Sequence, residues 1–385
     1  MSKDAKNVPA LRFKGYSDAW EKRKLGDLGS VAMNKRIYKD QTSDEGEIPF
    51  YKIGSFGKQA DAFISRKLFN EYKKLYPFPK KGDILISASG SIGRTIVYNG
   101  EDAYFQDSNI IWIQHDNRLD NTFLHQLFNI IRWSGVEGTT IKRLYNKNIL
   151  STQILLPSVE EQRSIGNLLD NVDNLIAATQ HNIDALEQAK KALLQRLFDQ
   201  SWRFKGYSDP WEKRKLGEVA TITMGQSPDS KNYTLNPQDH ILVQGNADIK
   251  NGWVEPRVWT TQITKIAKKG SVLLSVRAPV GEVSKTAFDV VLGRGVASVG
   301  QTDFLYQYLI TLKINGFWLR YSTGSTFDSI NSADIKDAII FLPEKNEQSR
   351  IAKTLNCIDN LIAATQSRLS RLELLKKALL QDLFI

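Results

Sequence analysis

Residues 156–180 read LPSVEEQRSIGNLLDNVDNLIAATQ, and the same pattern returns at 342–366 as LPEKNEQSRIAKTLNCIDNLIAATQ. Both copies run on to a matching end, KKALLQRLF at 190–198 and KKALLQDLF at 376–384. Repetition over this length, at a constant shift of 186 positions, indicates a tandem duplication.

A second repeated stretch, which we term the connector, lies upstream of each long segment. It reads RFKGYSDAWEKRKLG at 12–26 and RFKGYSDPWEKRKLG at 203–217, with Ala19 of the first copy replaced by Pro210 in the second. The regions between connector and long segment agree only weakly. Near-identical connectors around divergent centres indicate one shared scaffold that carries two different specificities.

The long segments have the spacing of coiled-coil helices. Apolar residues follow alternating steps of three and four over 169–197 and again over 355–383, which is a heptad seam sustained for four repeats. Two seam positions are polar in both copies: one is a threonine, Thr179 and Thr365, and the other is a lysine, Lys190 and Lys376. Polar seam residues of this kind can fix the register of a coiled coil. At the first helix start, Ser158 with Glu161 predicts a capping box, whereas Glu344 replaces the serine in the second copy.

Two equivalent helices in one duplicated chain are expected to pair with each other, antiparallel, with a variable domain at each end as in a molecular ruler. The alternative is that the seams bury apolar surface within one compact domain. The seam residues proposed for the spacer or for docking a partner are Leu169, Ile176, Leu186, Leu193, Ile358, Leu369 and Leu379. The connector tryptophans, Trp20 and Trp211, are candidates for the same role, or else buried anchors of the connector.

The variable regions alternate short β-rich runs with turn signals and helical patterns. The predicted fold class is therefore α+β, with two pseudo-symmetric globular α+β domains joined by two long helices that form an antiparallel coiled coil. The predicted limits are 1–26 for the first connector, 27–157 for the first variable domain, 158–199 for the first helix, 200–217 for the second connector, 218–342 for the second domain and 343–385 for the second helix.

Basic residues are interleaved with aromatic ones in both variable regions. Guanidinium groups suit base edges and lysines suit phosphates, so this pattern favours a nucleic-acid partner. For each residue taken alone, a solvated surface charge is the competing interpretation. The candidates for DNA contact are Lys35, Arg36, Arg94, Lys142, Arg143 and Lys147 in the first region, and Arg277, Arg294, Arg320 and Tyr321 in the second.

Composition narrows the functional classes. The chain has 385 residues, a formal net charge of +10 and ordinary globular composition, with 41% hydrophobic and 24% charged residues. The positive balance points to a polyanionic partner. One cysteine and four histidines make a disulfide framework or a structural zinc site improbable. The apolar runs are too short to span a membrane, and we expect a cytoplasmic protein.

Catalytic signatures are missing from the sequence. It contains no GxxxxGK phosphate loop followed by Ser or Thr, and its glycine-rich stretch at Gly293 and Gly295 lacks the third glycine of a dinucleotide-binding loop. The Asn-Pro pair at Asn236 and Pro237 is not followed by the residues of an amino-methyltransferase motif. We therefore expect a chain that recognises a partner without catalysing a reaction, and no metal on it.

The duplicated arrangement closely resembles the DNA-specificity (S) subunit of type I restriction–modification systems. The residues that carry the resemblance are the Trp-to-Leu-Gly connectors ending at Gly26 and Gly217, and the Leu-Pro plus Glu-Gln helix starts at Leu156 and Leu342. Each helix then ends in Leu-Leu-Gln-x-Leu-Phe. The resemblance covers essentially the whole chain.

This resemblance implies two target recognition domains, each reading one half of a bipartite, asymmetric sequence in double-stranded DNA. The helices would set the spacer between the half-sites and dock two methylation subunits, and restriction subunits would join the full complex. S-adenosylmethionine, ATP and magnesium would belong to those partners, with no cofactor on this chain. The family has no base-contacting residues at fixed motif positions, so the contact candidates remain those chosen from residue chemistry.

Three other functional classes are distinguishable by experiment. A protein-interaction module would bind duplex DNA, if at all, without the steep salt dependence of phosphate contacts. A stand-alone DNA-binding regulator would act without methylation subunits. An enzyme with its own methyltransferase or nuclease activity would need motifs that this sequence lacks.

Overall fold

The structure, a computed structural model, describes residues 7–133, 143–321 and 329–384. The chain divides into two compact units, the first formed by Met1–Ala178 with Leu369–Ile385 and the second by Thr179–Arg368. Each unit contains one mixed α and β domain and parts of both long helices. The α+β prediction is therefore confirmed for each variable region.

In the part that the structure describes, the first unit contains three small sheets. The strands are β1 (Glu21–Lys24), β2 (Gly29–Ala32), β3 (Ile48–Tyr51), β4 (Phe63–Ile64), β5 (Ile84–Ser87), β6 (Thr95–Val97), β7 (Tyr104–Phe105), β8 (Ile110–His115) and β9 (Gln153–Leu156). They assemble in the orders β2-β8-β5-β6, β4-β3-β7 and β1-β9. The helices are α1 (Arg66–Leu75), α2 (Asn121–Ile130), α3 (Asn146–Ser151) and the long α4 (Val159–Phe198), which continues into the second unit.

The second unit has the same arrangement, but its two larger sheets contain more strands than those of the first unit. Its strands are β10 (Glu212–Lys215), β11 (Ile222–Met224), β12 (Tyr233–Thr234), β13 (His240–Val243), β14 (Ile249–Lys250), β15 (Trp253–Val254), β16 (Trp259–Thr260), β17 (Ile266–Ala267), β18 (Val272–Ser275), β19 (Val283–Lys285), β20 (Val290–Leu292), β21 (Val296–Val299) and β22 (Ile339–Leu342). Their orders are β11-β21-β18-β19-β15-β14, β12-β16-β13-β20-β17 and β10-β22. The helices are α5 (Leu216–Val219), α6 (Asp303–Ile314), α7 (Ser332–Lys336) and the long α8 (Lys345–Leu383), whose end belongs to the first unit.

The connectors pair with the strands that lead into the long helices. In the first unit β1 is antiparallel to β9, with Glu21 opposite Leu156. In the second unit β10 is antiparallel to β22, with Glu212 opposite Leu342. Because the register is the same in both, the repeated connector and the repeated helix start form one structural element in each unit.

The long helices lie side by side within each unit. In the first unit the end of α8 lies beside the first half of α4, where Lys376 Nζ is 2.6 Å from Asp173 Oδ1. In the second unit the first half of α8 lies beside the end of α4, where Lys190 Nζ is 2.5 Å from Asp359 Oδ1. Start lies beside end in both units, so the helices run antiparallel in each, as predicted. The seam lysines are engaged in interhelical ion pairs.

The predicted capping box at the start of α4 is half correct. The Ser158 hydroxyl accepts from the Glu161 backbone N–H at 3.3 Å, as the pattern predicts. The Glu161 carboxylate does not return to the backbone of Ser158 but accepts two hydrogen bonds from Arg12, at 2.7 and 2.8 Å. A guanidinium fork satisfies both carboxylate oxygens, which a single backbone N–H cannot do.

Candidate nucleic-acid interface

A short backbone frame in the second domain holds two loops together. The Val276 N–H donates to the Gly295 carbonyl at 2.9 Å, and the Ile330 N–H donates to the Val276 carbonyl at 3.1 Å. An isolated antiparallel bridge joins Arg277 to Ser329. Arg277 follows Val276, and Arg294 precedes Gly295. The hydrogen bond between Val276 and Gly295 therefore places the two predicted arginines next to one another.

The first domain contains the same frame. The Ala88 N–H donates to the Asn109 carbonyl and the Leu144 N–H donates to the Ala88 carbonyl, both at 2.8 Å. An isolated bridge joins Ser89 to Arg143. Hydrogen bonds and bridge are therefore equivalent in the two domains, although the sequences around them agree only weakly.

The side chains on this frame differ between the domains. We term three equivalent places in the two domains the frame positions. The first is the bridge residue that follows Ala88 or Val276, and the second is the residue before the one whose carbonyl accepts from Ala88 or Val276. The third is the residue on the other side of the bridge. In the first domain they hold Ser89, Ser108 and Arg143, and in the second domain Arg277, Arg294 and Ser329. The bridge thus has serine and arginine exchanged between its two sides.

The second domain has an open polar cleft of about 380 Å³ at these positions. Its described polar lining comprises Ser227, Gln244, Asn246, Ser275, Arg277 and Arg294, with no carboxylate from residues 7–133, 143–321 and 329–384. Both arginines are exposed, and within the described chain neither guanidinium has an ion pair. The Asn246 amide donates to the Pro279 carbonyl at 3.1 Å, while its own oxygen is buried without a partner among the described residues.

Two glycines fix the loop that carries Arg294. A Cβ at Gly293 would lie 3.0 Å from the Gln244 Cα, and one at Gly295 would overlap the Gln244 carbonyl oxygen. Glycine at both places therefore lets this loop approach the neighbouring strand end closely. The Arg294 side chain is the one that this loop presents to the cleft.

The first domain surrounds its frame with acceptors. The Asn109 side-chain oxygen accepts from the Ser89 hydroxyl at 2.8 Å and from the Arg143 guanidinium at 3.2 Å. Two residues earlier, Asp107 binds Arg36 at 2.9 Å. Arg36 and Arg143 are thus close to the frame, but each already has a polar partner within the domain.

Other predicted contact residues lie elsewhere in the domains. The Lys35 ammonium is 5.0 Å from the centre of the Tyr76 ring. Arg94 packs against the Phe56 ring and donates to the Phe56 carbonyl. Like Arg36 and Arg143, it therefore has a partner within the domain, and its assignment as a contact residue stays a prediction. Arg320 packs over Phe317 at 4.1 Å and is otherwise exposed.

The remaining predicted contacts have simpler outcomes. Lys147 is exposed at the start of α3. Tyr321 ends a short 3-10 helix, Phe317–Tyr321, in which the placement of its side chain is not described. Lys142 lies outside the described residues. For these three the assignment stays a prediction.

The connector tryptophans are anchors and not docking residues. Trp20 is 2% exposed and packs edge-on against Phe123 and Phe384. Trp211 is 6% exposed and meets Phe198 in the same way. Side chains this deeply buried cannot be presented to a partner subunit, which corrects their assignment to partner docking and supports the buried-anchor alternative.

The predicted seam residues are buried or half-buried side chains of the long helices. Leu169 is fully buried in the core of the first unit. The others are partly exposed, and their role in spacing or docking stays a prediction: Ile176, Leu186, Leu193, Ile358, Leu369 and Leu379.

A buried glutamine links each domain to the helix pair, and the sequence patterns did not single it out. Gln126 donates to Asp170 at 2.8 Å and to Asp173 at 3.0 Å. Gln307 donates to Asn356 at 3.0 Å and to Asp359 at 2.8 Å. Alignment of the two copies would have paired these residues, but only coordinates show that the glutamines reach the helices.

Neither a membrane-spanning helix nor a metal site is found in the described part of the chain. No described helix is long and apolar enough to cross a bilayer. No group of three or more potential metal ligands occurs among residues 7–133, 143–321 and 329–384.

Comparison with known proteins places this duplicated architecture in a family. The sequence model described as type I restriction modification DNA specificity domain matches residues 17–188 and again 208–374. These matches cover most of the chain, one for each repeat. The chain therefore belongs to this family, and the predicted resemblance to an S subunit is confirmed.

Individual relatives agree with this assignment. A putative type I restriction enzyme specificity subunit from Haemophilus influenzae is 52% identical over 169 residues, which are 43% of this chain and 44% of that protein. The putative MjaX specificity subunit from Methanocaldococcus jannaschii is 28% identical over 393 residues, with 94% of this chain and 92% of that protein covered. The chain thus spans less than half of the first relative and nearly all of the second.

Solved structures show the same fold. The crystal structure of an S subunit from M. genitalium superposes with a TM-score of 0.69 at 16% identity, covering 98% of this chain and 99% of that one. A second structure, reported for assembly and conformational transition of the type I system, gives a TM-score of 0.54 at 23% identity, with 95% and 97% covered.

Proposed function

We propose that this chain is the DNA-reading subunit of a type I restriction–modification complex. Each α+β domain reads one half of a bipartite, asymmetric site in double-stranded DNA. The paired helices set the number of unread base pairs between the half-sites. The chain itself carries no catalytic step.

One observation carries the proposal: the two domains share a backbone frame but present different side chains on it. A scaffold with a fixed backbone and exchanged polar side chains is suited to reading two different short sequences. The basic net charge of +10 supplies the attraction to phosphates that such a reader requires. Exposed arginines at loop ends are the side chains best suited to base edges in the major groove.

The partners follow from the family assignment. Two methylation subunits dock on the helices and bind S-adenosylmethionine, and restriction subunits supply ATP-driven and magnesium-dependent steps in the full complex. The cytoplasm, where the DNA lies, is the proposed location. A structural relative solved in a study of type I complex assembly, and sequence relatives that are specificity subunits, support this assembly.

A domain replacement tests the modular account. Residues 27–157 are replaced by the corresponding domain of another family member, and the chimaera is assembled with methylation subunits. Sequencing of the methylated DNA should show one half-site changed, with the other half-site and the spacer retained. A change in both half-sites would contradict independent reading by the two domains.

Salt dependence provides a second, physical test. Binding of the assembled complex to a duplex should weaken steeply and linearly on a logarithmic salt axis, because phosphate contacts release counterions. A protein-interaction module would show affinity that does not depend on salt in this way.

A further inference from the structure

We infer that the three frame positions determine the sequence that each domain reads, and that Arg277 and Arg294 recognise guanine in the half-site of the second domain. The inference rests on the proposed function and goes beyond it by naming the residues and the base. It assigns Arg143, the arginine at the frame positions of the first domain, to the other half-site.

The backbone around these arginines is held in place before any DNA binds. Arg277 follows Val276, whose N–H and carbonyl are both hydrogen-bonded across the frame. Arg294 lies between Gly293 and Gly295, which pack closely against Gln244. A preorganised backbone limits the entropy lost when a side chain engages its target, which favours discrimination between bases.

The electrostatic setting leaves both guanidinium groups available. Among the residues that the structure describes, the polar lining of the cleft includes serine, glutamine and asparagine but no carboxylate. Asp248, which accepts from the backbone N–H groups of Gln244 and Gly245 beside the cleft, is 4% exposed and is paired with Arg257 at 2.9 Å. An arginine without an internal partner can donate two parallel hydrogen bonds to the O6 and N7 atoms of guanine.

The first domain has a different reading set on the same frame. Serines replace both cleft arginines, and the arginine is on the opposite side of the bridge, where it contacts Asn109 at 3.2 Å. The one arginine at its frame positions, Arg143, therefore comes from a different segment of the chain than Arg277 and Arg294 do. The exchange of serine and arginine explains how one backbone can serve two unlike half-sites.

The experiment selects bound sequences from a duplex library in which both half-sites are randomised. The full chain is assembled with the methylation subunits of its own system and compared with the variants Arg277→Ala, Arg294→Ala and Arg143→Ala. Arg277→Lys and Arg294→Lys keep the charge without the two-pronged donor geometry. Arg214→Ala is the control, because it removes the same charge from strand β10 outside the cleft.

For Arg277→Ala and Arg294→Ala we expect about a ten-fold or greater loss of preference for guanine, each at one position of the same half-site. Arg143→Ala should relax a position only in the other half-site, and the lysine variants should retain affinity while losing part of the guanine preference. Arg214→Ala should leave the selected sequence unchanged.

Two results would overturn the inference while leaving the proposed function intact. One is an unchanged selected sequence in both Arg277→Ala and Arg294→Ala. The other is a uniform loss of affinity over all sequences with a shallower salt dependence, which identifies phosphate contacts. If the unmodified complex itself selects no bipartite sequence, the proposed function fails instead.

Discussion

Arg12 in the first connector binds Glu161 at the start of α4 through two parallel hydrogen bonds, Nε to Oε1 at 2.7 Å and Nη2 to Oε2 at 2.8 Å. The second copy repeats the pair, with Arg203 donating to Glu347 at 3.0 and 2.6 Å. Both glutamate side chains are 1% exposed. The connector and the helix start, the two repeated motifs of the sequence, are therefore in contact, and each arginine–glutamate pair fixes a connector to the beginning of a long helix.

Removal of the arginine should destabilise the first unit strongly. Arg12→Ala leaves the Glu161 carboxylate buried and unpaired, and a broken buried pair costs about 3–5 kcal/mol. Urea unfolding of the full chain should show this loss, and hydrogen exchange should locate it at β1 and β9. The double variant Arg12→Met with Glu161→Leu should recover most of the stability, because no charge is then left buried.

The matched control is Arg23→Ala in the same connector. Arg23 pairs with Glu21 on the surface, with the two side chains 45% and 65% exposed. Exposed pairs contribute about 0–1 kcal/mol, so this variant should unfold almost as the original chain does. Equal losses for Arg12→Ala and Arg23→Ala would refute the buried-pair interpretation.

A glycine inside α4 permits a close helix contact in the first unit only. A Cβ at Gly166 would lie 2.7 Å from the Phe123 backbone nitrogen at the start of α2 and would overlap the Thr122 side chain. Gly166→Ala should therefore destabilise the chain by about 1–3 kcal/mol through overpacking. This reverses the usual gain of up to about 1 kcal/mol when alanine replaces glycine in a helix.

The second copy provides the control for this change, since Ala352 occupies the equivalent helix position. Ala352→Gly should cost only about 1 kcal/mol, the difference in helix propensity, plus the loss of one buried methyl group. Chemical denaturation would measure both. A Gly166→Ala chain more stable than the original would show that the contact is not tight.

The interhelical ion pairs should be energetically coupled. Lys376 and Asp173 are 22% and 31% exposed, and both belong to a network that includes Gln126. A double-mutant cycle with alanine at both positions should give a coupling of about 0.5–3 kcal/mol. The exchanged pair, Lys376→Asp with Asp173→Lys, should retain only part of it, because the Gln126 amide also donates to Asp170 and cannot turn its oxygen toward the new lysine without losing that bond. If the exchanged variant were no more stable than the less stable of the two single charge reversals, the geometry of the pair, and not its charges, would account for the coupling.

Stability should depend on pH through Asp170. Burial acts to raise the pKa of this carboxyl, but the His125 ring nitrogen 3.7 Å away and the hydrogen bond from Gln126 outweigh it, and the pKa is lowered from the ordinary value of 3.8. A lowered pKa in the folded state gives stability that is present above the ordinary value and is lost as the pH falls through the folded value.

Asp170→Asn tests this dependence, because asparagine is the native residue at the equivalent position, Asn356. Thermal unfolding should show the variant less stable than the original chain at pH 6, with the difference shrinking as the pH falls below about 4. A difference that is constant between pH 6 and pH 3 would mean that the charge of Asp170 makes no contribution.

The architecture could be predicted largely from the sequence because its signals are periodic or repeated. The heptad seams predict α4 and α8, and the duplication predicts two like domains. The antiparallel direction follows from pairing two equivalent helices. The arginines at 143, 277 and 294 could be chosen from residue chemistry, and the structure brings all three to the frame.

Long-range side-chain pairing could not be predicted in the same way. Arg12 and Glu161 are 149 positions apart, and no local pattern links them. Arg94 has the residue type of a base-contacting side chain, yet its surroundings in the fold direct it onto Phe56. The frame positions likewise depend on strand register, which weakly similar sequences do not define.

The most direct test of the central claim is single-molecule sequencing of native DNA from the source cells and from a strain that lacks this gene, comparing modified adenines. The account predicts that one bipartite methylated motif disappears on deletion and returns when the gene is restored. An unchanged set of methylated adenines, in cells that produce this chain with its methylation subunits, would contradict it.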